Sequence, residues 1–286
     1  MVAVTSRPLL LRLRARLSLA LPRGWRDAVL QVALWGLADL LYEGVRGLVA
    51  GRGDAALANA HAVVAFERAT GLFFEPQLQR LVLGNHDLVV ASNWLYVNIQ
   101  FTVNALFLAF LYIYRNQIFY FVRNMFFVAM GMALVVHLIV PVAPPRMLPQ
   151  LGFVDTIHQI AHINQDSGAV SLFVNPYAAV PSMHMCFALL IGITAVVLTR
   201  RRWLKLVWLV YPALVLGVIV VTANHFVFDA LTGAVTAAVA FLAAKQVMAR
   251  VRPAAWAWAP VGRRRVGSSA PAMAAAGAGQ TGPGRS

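Results

Sequence analysis

Long apolar segments constrain this chain more than any other feature of its sequence. A helix that crosses a bilayer needs about 20 mostly apolar residues, and the 286 residues contain six such stretches. They are residues 28–50, 88–114, 119–141, 183–199, 204–223 and 226–248. Sixty per cent of the residues are hydrophobic and 12% are charged, whereas about a quarter are charged in soluble domains. The sequence therefore predicts an all-α, multi-pass membrane bundle with about six transmembrane helices.

The remaining segments divide the chain into a membrane domain and two tails. Residues 1–27 are basic and predict a cytoplasmic tail, 28–250 predict the six-span domain, and 251–286, rich in Ala, Gly, Pro and Arg, predict a disordered cytoplasmic tail. Within the domain, residues 51–87 predict an amphipathic helical segment on the membrane surface, and the proline-rich residues 142–181 predict an ordered loop. The first span carries Asp39 and Glu43, which either face the bundle interior or mark that segment as interfacial.

The distribution of basic residues predicts the orientation of the spans. The net charge is +14, and 19 of the 24 lysines and arginines lie in the N-terminal tail, near Arg115 and Arg123, in the turn at 200–205, and after residue 244. Six spans put these segments on one side, which the positive-inside rule assigns to the cytoplasm. We therefore expect a cell-membrane protein with both termini in the cytoplasm. Because this charge is explained by topology and anionic lipid headgroups, no nucleic-acid partner is expected.

Three short motifs deliver reactive side chains to the opposite, extracytoplasmic face. Pro-Val-Ala-Pro-Pro-Arg ends at Arg146 after the third span, Pro-Ser-Met-His ends at His184 where the fourth begins, and Asn-His-Phe-Val-Phe-Asp carries His225 and Asp229 at the start of the sixth. An arginine, two histidines and a carboxylate suffice for covalent phosphoryl transfer. The pattern indicates a membrane enzyme acting on a lipid or polyprenyl phosphate.

The spacing of these residues suggests a role for each. His225 and Asp229 are four apart, so a helix puts them on one face, where the carboxylate can orient the imidazole as a nucleophile. His184 can serve as the general acid and base. Ser182 and the helix N-terminus behind it, together with Arg146, can bind phosphate oxygens.

The motifs PSMH and NHFVFD resemble those of the type 2 phosphatidic acid phosphatase superfamily. PVAPPR, together with the upstream ERATGLFFEPQLQ and GFVDT, is similar to the aureobasidin-resistance branch, which includes inositol phosphorylceramide synthases. The resemblance covers roughly residues 60–245 and implies a phosphohistidine intermediate. It also implies an acceptor that is either water or an alcohol such as inositol.

The sequence departs from the superfamily at three phosphate-contacting positions. The usual lysine would fall at Ile139, and the usual serine and arginine of the third motif at Val218 and Ile219. The resemblance implies that Arg146 binds the phosphate and suggests that Asn224 donates hydrogen bonds in place of the missing arginine.

Other interpretations of the same residues remain open. His184 alone is compatible with a structural histidine, His225 with Asp229 fits a helix-capping ion pair, and Arg146 fits an interfacial arginine. His137 predicts packing inside the third span, and His158 with His162 lacks a third ligand, so neither a metal nor another cofactor is expected. A transporter is the alternative from a different class, although transporters carry their ionisable groups near the bilayer midplane.

Overall fold

The computed structural model describes residues 21–49, 51–159 and 177–248. In chain order the helices are α1 Gly24–Val49, α2 Gly53–Thr70, α3 Glu75–Leu83, α4 His86–Tyr114, α5 Asn116–Ile139, α6 Thr156–Gln159, α7 Met183–Leu198, α8 Arg202–Val221 and α9 Val227–Leu242. A π-helical segment, Ala243–Met248, extends α9, and 3₁₀ turns form at Pro145–Met147 and Pro149–Leu151. The described part of the chain contains no β-strand. The predicted all-α class is confirmed.

Four of the described helices are long and apolar enough to cross a membrane. They are α4, α5, α8 and the continuous segment Val227–Met248, while α7 is apolar but has only 16 residues. Large apolar side chains on the outside of the bundle, such as Phe101, Val197 and Val235, are 78%, 76% and 62% exposed. Such a surface is stable when lipid covers it. The protein is therefore a helical membrane bundle, whereas the crossing of α1 and α7 stays a prediction.

Helix α5 lies in the middle of the bundle and contacts α1, α4, α7 and α9. Its Phe126 stacks on Phe187 of α7, with ring centroids 4.5 Å apart. Apolar contacts of this kind form a core that runs along α4, α5, α7 and α9. The packing fixes where the ends of α7 and α9 lie, and these ends carry the predicted motifs.

A polar cluster joins α1 to α5 at the other end of the bundle. Asp27 accepts hydrogen bonds from Tyr112 at 2.8 Å and Tyr120 at 2.5 Å, and the Arg123 guanidinium donates to Gln31 at 2.8 Å. Arg123 thus lies inside α5, within the predicted span 119–141, although the charge count grouped it with Arg115 in the preceding turn. Helix α1 begins at Gly24, so Asp27 belongs to the bundle rather than to the predicted tail; the earlier tail residues 1–20 and the tail 251–286 lie outside the described residues.

Residues 51–87, predicted as an amphipathic helical segment on the membrane surface, contain two helices, α2 and α3, separated by a turn at Gly71. Helix α2 packs against the loop that follows α5, and the amide of Ala143 donates to the carbonyl of Ala56 at 3.0 Å. One face of α2 is buried and includes Glu67. These helices therefore form part of the wall of the site described below.

Candidate active site

Backbone hydrogen bonds bring the Arg146 segment next to the chain that leads into α7. The Val142 amide donates to the Tyr177 carbonyl at 3.0 Å, and the Ala179 amide donates to the Val142 carbonyl at 3.3 Å. Further along, the Arg146 amide donates to the carbonyl of Ala223 at 2.8 Å. Three loops that are distant in sequence therefore meet at one end of the bundle.

The N-terminus of α7 is held directly against α9. Ser182 is the N-cap, and its Oγ accepts from the Met185 amide at 3.4 Å, while its own amide donates to the Asp229 carbonyl at 3.0 Å. A Cβ at Gly233 would lie 2.4 Å from the Ser182 carbonyl oxygen. Glycine is thus required for this close approach. The approach places His184, the second residue of α7, beside the first turn of α9.

A tight turn between α8 and α9 orients Asn224 and His225. The amides of both residues donate to the carbonyl of Ile219, at 3.1 and 3.2 Å. Ala223 just before them has a φ of +52°, a left-handed conformation that costs a residue with a Cβ about 1 kcal/mol. The turn nevertheless forms because the Ala223 carbonyl accepts from the Arg146 amide and its amide donates to Val220.

His225 is buried, and its hydrogen bonds determine which ring nitrogen carries the proton. Nδ1 lies 3.1 Å from the Ala179 carbonyl oxygen and 3.2 Å from Oδ2 of Asp229. The carbonyl only accepts, and Oδ2 already accepts from the Phe226 amide at 2.9 Å. Nδ1 must therefore carry the hydrogen, and Nε2 of the neutral ring keeps its lone pair.

The surroundings of His225 keep its ring neutral. Burial lowers the pKa of His225 to about 3; the hydrogen bond to Ala179 opposes this shift, and the positive charge of Arg146 adds to it. A neutral imidazole at pH 7 is the form that can act as a nucleophile.

His184 is in the first turn of α7, and its ring lies beside that of His225. The two ring centroids are 5.5 Å apart and the planes make an angle of 61°. Tyr96 of α4 stacks on the ring of His184, with centroids 4.5 Å apart and planes inclined by 22°. This stacking holds the imidazole of His184 next to that of His225.

Arg146 is buried and forms a polar group with Asn224 and Asp155. Its Nη1 donates to Oδ1 of Asn224, and its Nε lies 4.0 Å from Oδ2 of Asp155. The side-chain nitrogen of Asn224 donates to Thr222, at 2.8 Å to Oγ1 and 3.3 Å to the carbonyl. Both ends of the Asn224 amide are thus engaged within the protein, so its geometry suits orientation of Arg146 better than the direct phosphate contact suggested by the sequence.

All six residues predicted from the sequence therefore belong to one cluster. The members are Arg146, Ser182, His184, Asn224, His225 and Asp229. His137 lies in α5 and packs against Tyr42 of α1, with ring centroids 5.8 Å apart. The side chains of His158 and His162 lie outside the described residues. Among the described residues, no group of three or more His, Cys, Asp or Glu side chains could hold a metal ion.

Comparison with known proteins identifies the family. A family model for the PAP2 superfamily matches residues 61–243, which is more than half of the chain and includes all six clustered residues. The chain belongs to the PAP2 superfamily. No curated protein and no solved structure matches the chain significantly.

Membership of the PAP2 superfamily supports a phosphatase-type or phosphotransferase-type function for this chain. Ile139 and Ile219 occupy the positions of the usual lysine and arginine. Ile139 is 66% exposed at the end of α5, whereas Ile219 is fully buried beneath the turn that carries His225. The Ile219 carbonyl supports that turn through two amides. Arg146 is the one arginine or lysine among the six clustered residues, and it contacts Asn224 and Asp155.

Four residues near the site were not predicted from the sequence. Tyr96 and Asp155 contact His184 and Arg146, and two buried glutamates, Glu67 and Glu75, accept hydrogen bonds from the start of α9. The glutamates lie in the ERATGLFFEPQLQ segment, where two signals were available: the resemblance of that segment to the aureobasidin-resistance branch, and two acids next to apolar residues. Nothing in the sequence of α4 distinguishes Tyr96 from the other aromatic residues of that helix.

Proposed function

We propose that this PAP2 protein is an integral membrane lipid-phosphate phosphatase or phosphotransferase that works through a phosphohistidine on His225. The Nε2 lone pair attacks phosphorus, the bond to the leaving oxygen breaks, and His184 supplies the proton that this oxygen takes up. His184 then removes a proton from water or an alcohol, whose oxygen attacks phosphorus and releases His225. The substrate class is a lipid or polyprenyl phosphate.

The observation that carries this proposal is the hydrogen bonding of His225. Two acceptors, the Ala179 carbonyl and Asp229, share the hydrogen on Nδ1, at 3.1 and 3.2 Å. This arrangement fixes the tautomer with the lone pair on Nε2 and stabilises the positive charge that develops when Nε2 bonds to phosphorus. A histidine that only capped a helix would not need its second nitrogen unprotonated next to another histidine.

The remaining polar groups fit the binding of the phosphoryl oxygens. Arg146 provides a permanently charged, planar donor, and Asn224 orients it. Ser182 has an O–H that can donate to phosphate while its oxygen caps α7, and the amides of the first turn of α7 favour an anion. Because these groups lie at helix ends on one side of the bundle, they also fit phosphoryl transfer better than transport, for which sites near the midplane are typical.

Hydrolysis and transfer to an alcohol such as inositol use the same residues and differ only in the acceptor. The test is to incubate the purified protein with phosphatidic acid and with a polyprenyl phosphate, with and without inositol, and to follow free phosphate and new phosphodiesters. We expect one of these products, inhibition by vanadate as a mimic of the five-coordinate transition state, and full activity in EDTA. Inactivation by EDTA with recovery in magnesium would contradict the mechanism, and absence of both products with every substrate would contradict the function.

We further propose that the site faces the extracytoplasmic side of the cell membrane. The loops that carry Arg146 and Ser182 lie at the opposite ends of the helices from the basic turn at 200–205, which the positive-inside rule puts in the cytoplasm. A reporter fused after Ser171 should be active only outside the cytoplasm, and one fused after Arg201 only inside it. The reverse result would assign the chemistry to the cytoplasmic face.

A further inference from the structure

Two glutamates from different helices hold the first turn of α9. Oε1 of Glu67 accepts from the Phe228 amide at 2.7 Å, and Oε1 of Glu75 accepts from the Val227 amide at 3.0 Å. Asp229 accepts from the preceding amide, that of Phe226, at 2.9 Å. Three carboxyl groups therefore bind the three consecutive amides that directly follow His225, at the N-terminus of α9. A helix N-terminus needs such acceptors, because its first amides have no partner within the helix.

The second oxygens of the two glutamates lack such partners. Both side chains are fully buried, and Oε2 of Glu67 and Oε2 of Glu75 have no hydrogen-bonding donor among the described residues. No lysine or arginine in the described ranges forms an ion pair with either glutamate. Two ionised carboxylates buried together without a cation would be strongly unfavourable.

One proton between the two groups removes this conflict. When one carboxyl group is protonated, its O–H donates to the other carboxylate, and each Oε1 can still accept from its backbone amide. Burial raises the pKa of Glu67 to about 9, with the hydrogen bond to Glu75 adding to the shift and the Phe228 amide opposing it. The charges of Glu75 on α3 and Asp229 on α9 raise this pKa further.

We propose that Glu67 and Glu75 are a proton-sharing carboxyl pair that positions the first turn of α9, and through it His225 and Asp229. This inference rests on the proposed phosphoryl transfer at His225, and both glutamates are positioning residues rather than catalytic ones. The pair has only one hydrogen-bond donor, the shared proton. One amide side chain can replace this donor, whereas two amide side chains cannot both fit.

Amide substitutions distinguish this pair from a merely buried acidic patch. In Glu67→Gln or Glu75→Gln, the new N–H₂ replaces the shared proton, so each variant should retain activity within about fivefold at neutral pH. In the double variant, two N–H₂ groups face each other if each oxygen still binds its amide. We expect the double variant to lose at least about tenfold more than the product of the single losses. Asp54→Asn, an exposed acid on the same helix α2, is the matched control.

The alkaline limb of the activity provides a second readout. Below about pH 9 the pair keeps its proton, and above it both carboxylates are charged and repel, so wild-type activity should fall there. Glu67→Gln removes the titrating pair and should abolish this fall. Additive losses in the double variant would overturn the proposal. An alkaline limb that persists in Glu67→Gln would also overturn it, and this test does not require the double variant to fold.

Hydrogen–deuterium exchange separates this inference from the proposed function. The amides of Phe226, Val227 and Phe228 should exchange slowly in wild type and in both single variants, and faster in the double variant, whether or not a substrate has been found. Slow exchange of these amides in wild type, both single variants and the double variant alike would overturn the proposal of a proton-sharing pair. A wild-type protein with the expected exchange but no turnover on any lipid phosphate would instead contradict only the proposed function.

Discussion

Replacing His225 with alanine should abolish both turnover and the formation of a phosphoprotein. The expected loss of turnover is at least about 10⁴-fold, since loss of a covalent nucleophile removes the pathway that the other residues assist. In a rapidly quenched reaction with ³²P-labelled substrate, wild type should show an acid-labile, base-stable label, as phosphohistidine does, and the variant none. His61→Ala provides the matched control, because His61 is an exposed histidine on α2.

Asp229→Asn tests the reason for this effect rather than the nucleophile itself. The amide side chain keeps the size of the carboxylate but can present N–H₂ to Nδ1, which favours the tautomer with the hydrogen on Nε2. We expect a folded protein that is slower by up to about 10⁴-fold, as when the same change is made in a serine-protease triad. For both variants the fold is checked by size-exclusion chromatography. Normal turnover in His225→Ala would contradict the phosphohistidine mechanism.

Replacing His184 with alanine separates formation of the intermediate from its breakdown. With an aryl phosphate, whose leaving group needs little protonation, the variant should still become labelled on His225. Release of phosphate should then slow by about 10²–10⁴-fold, because no base activates the incoming water or alcohol. The label should therefore accumulate to nearly one per protein, and its decay after a chase with unlabelled substrate measures the second step directly.

The opposite pattern would reverse the assigned roles of the two histidines. If His184→Ala prevented labelling while His225→Ala permitted it, His184 would be the nucleophile, despite the two acceptors on Nδ1 of His225. With an alkyl lipid phosphate as substrate, His184→Ala should slow both steps, since this leaving group does need a proton. The comparison of the two substrates therefore tests general-acid and general-base roles separately.

Local sequence signals were sufficient to predict the long apolar helices and the meeting of the motifs at one end of the bundle. The length and apolarity of residues 88–114 or 204–223 reflect the thickness of the bilayer, a constraint that acts on each span separately, and α4 and α8 form there. The order of spans alternates their ends between the two sides. PSMH and NHFVFD were therefore expected at the same face, and His184 and His225 do lie 5.5 Å apart.

The surroundings of individual polar residues depend on neighbouring helices and were harder to predict from the sequence. Arg123 was counted with Arg115 among the basic residues near one turn, but it is a buried arginine within a span, and its partner Gln31 lies 92 residues away in α1. Asn224 was expected to contact phosphate, but Arg146 and Thr222 engage both ends of its amide. Gln31 and Arg146 are polar side chains that only the packing of another segment brings close to Arg123 and Asn224.

By itself, then, the sequence determined the membrane class, the approximate positions of the long apolar helices, and the expectation that His184, His225 and Asp229 lie at one end of the bundle. The tertiary structure decided the tautomer of His225, through a carbonyl oxygen 46 residues away, and the capping of α9 by Glu67 and Glu75 from 161 and 152 residues away. The physical reason is that these contacts involve backbone groups. Every residue has a carbonyl and nearly every residue an amide, so such partners leave no pattern in the sequence and are selected only when the helices pack.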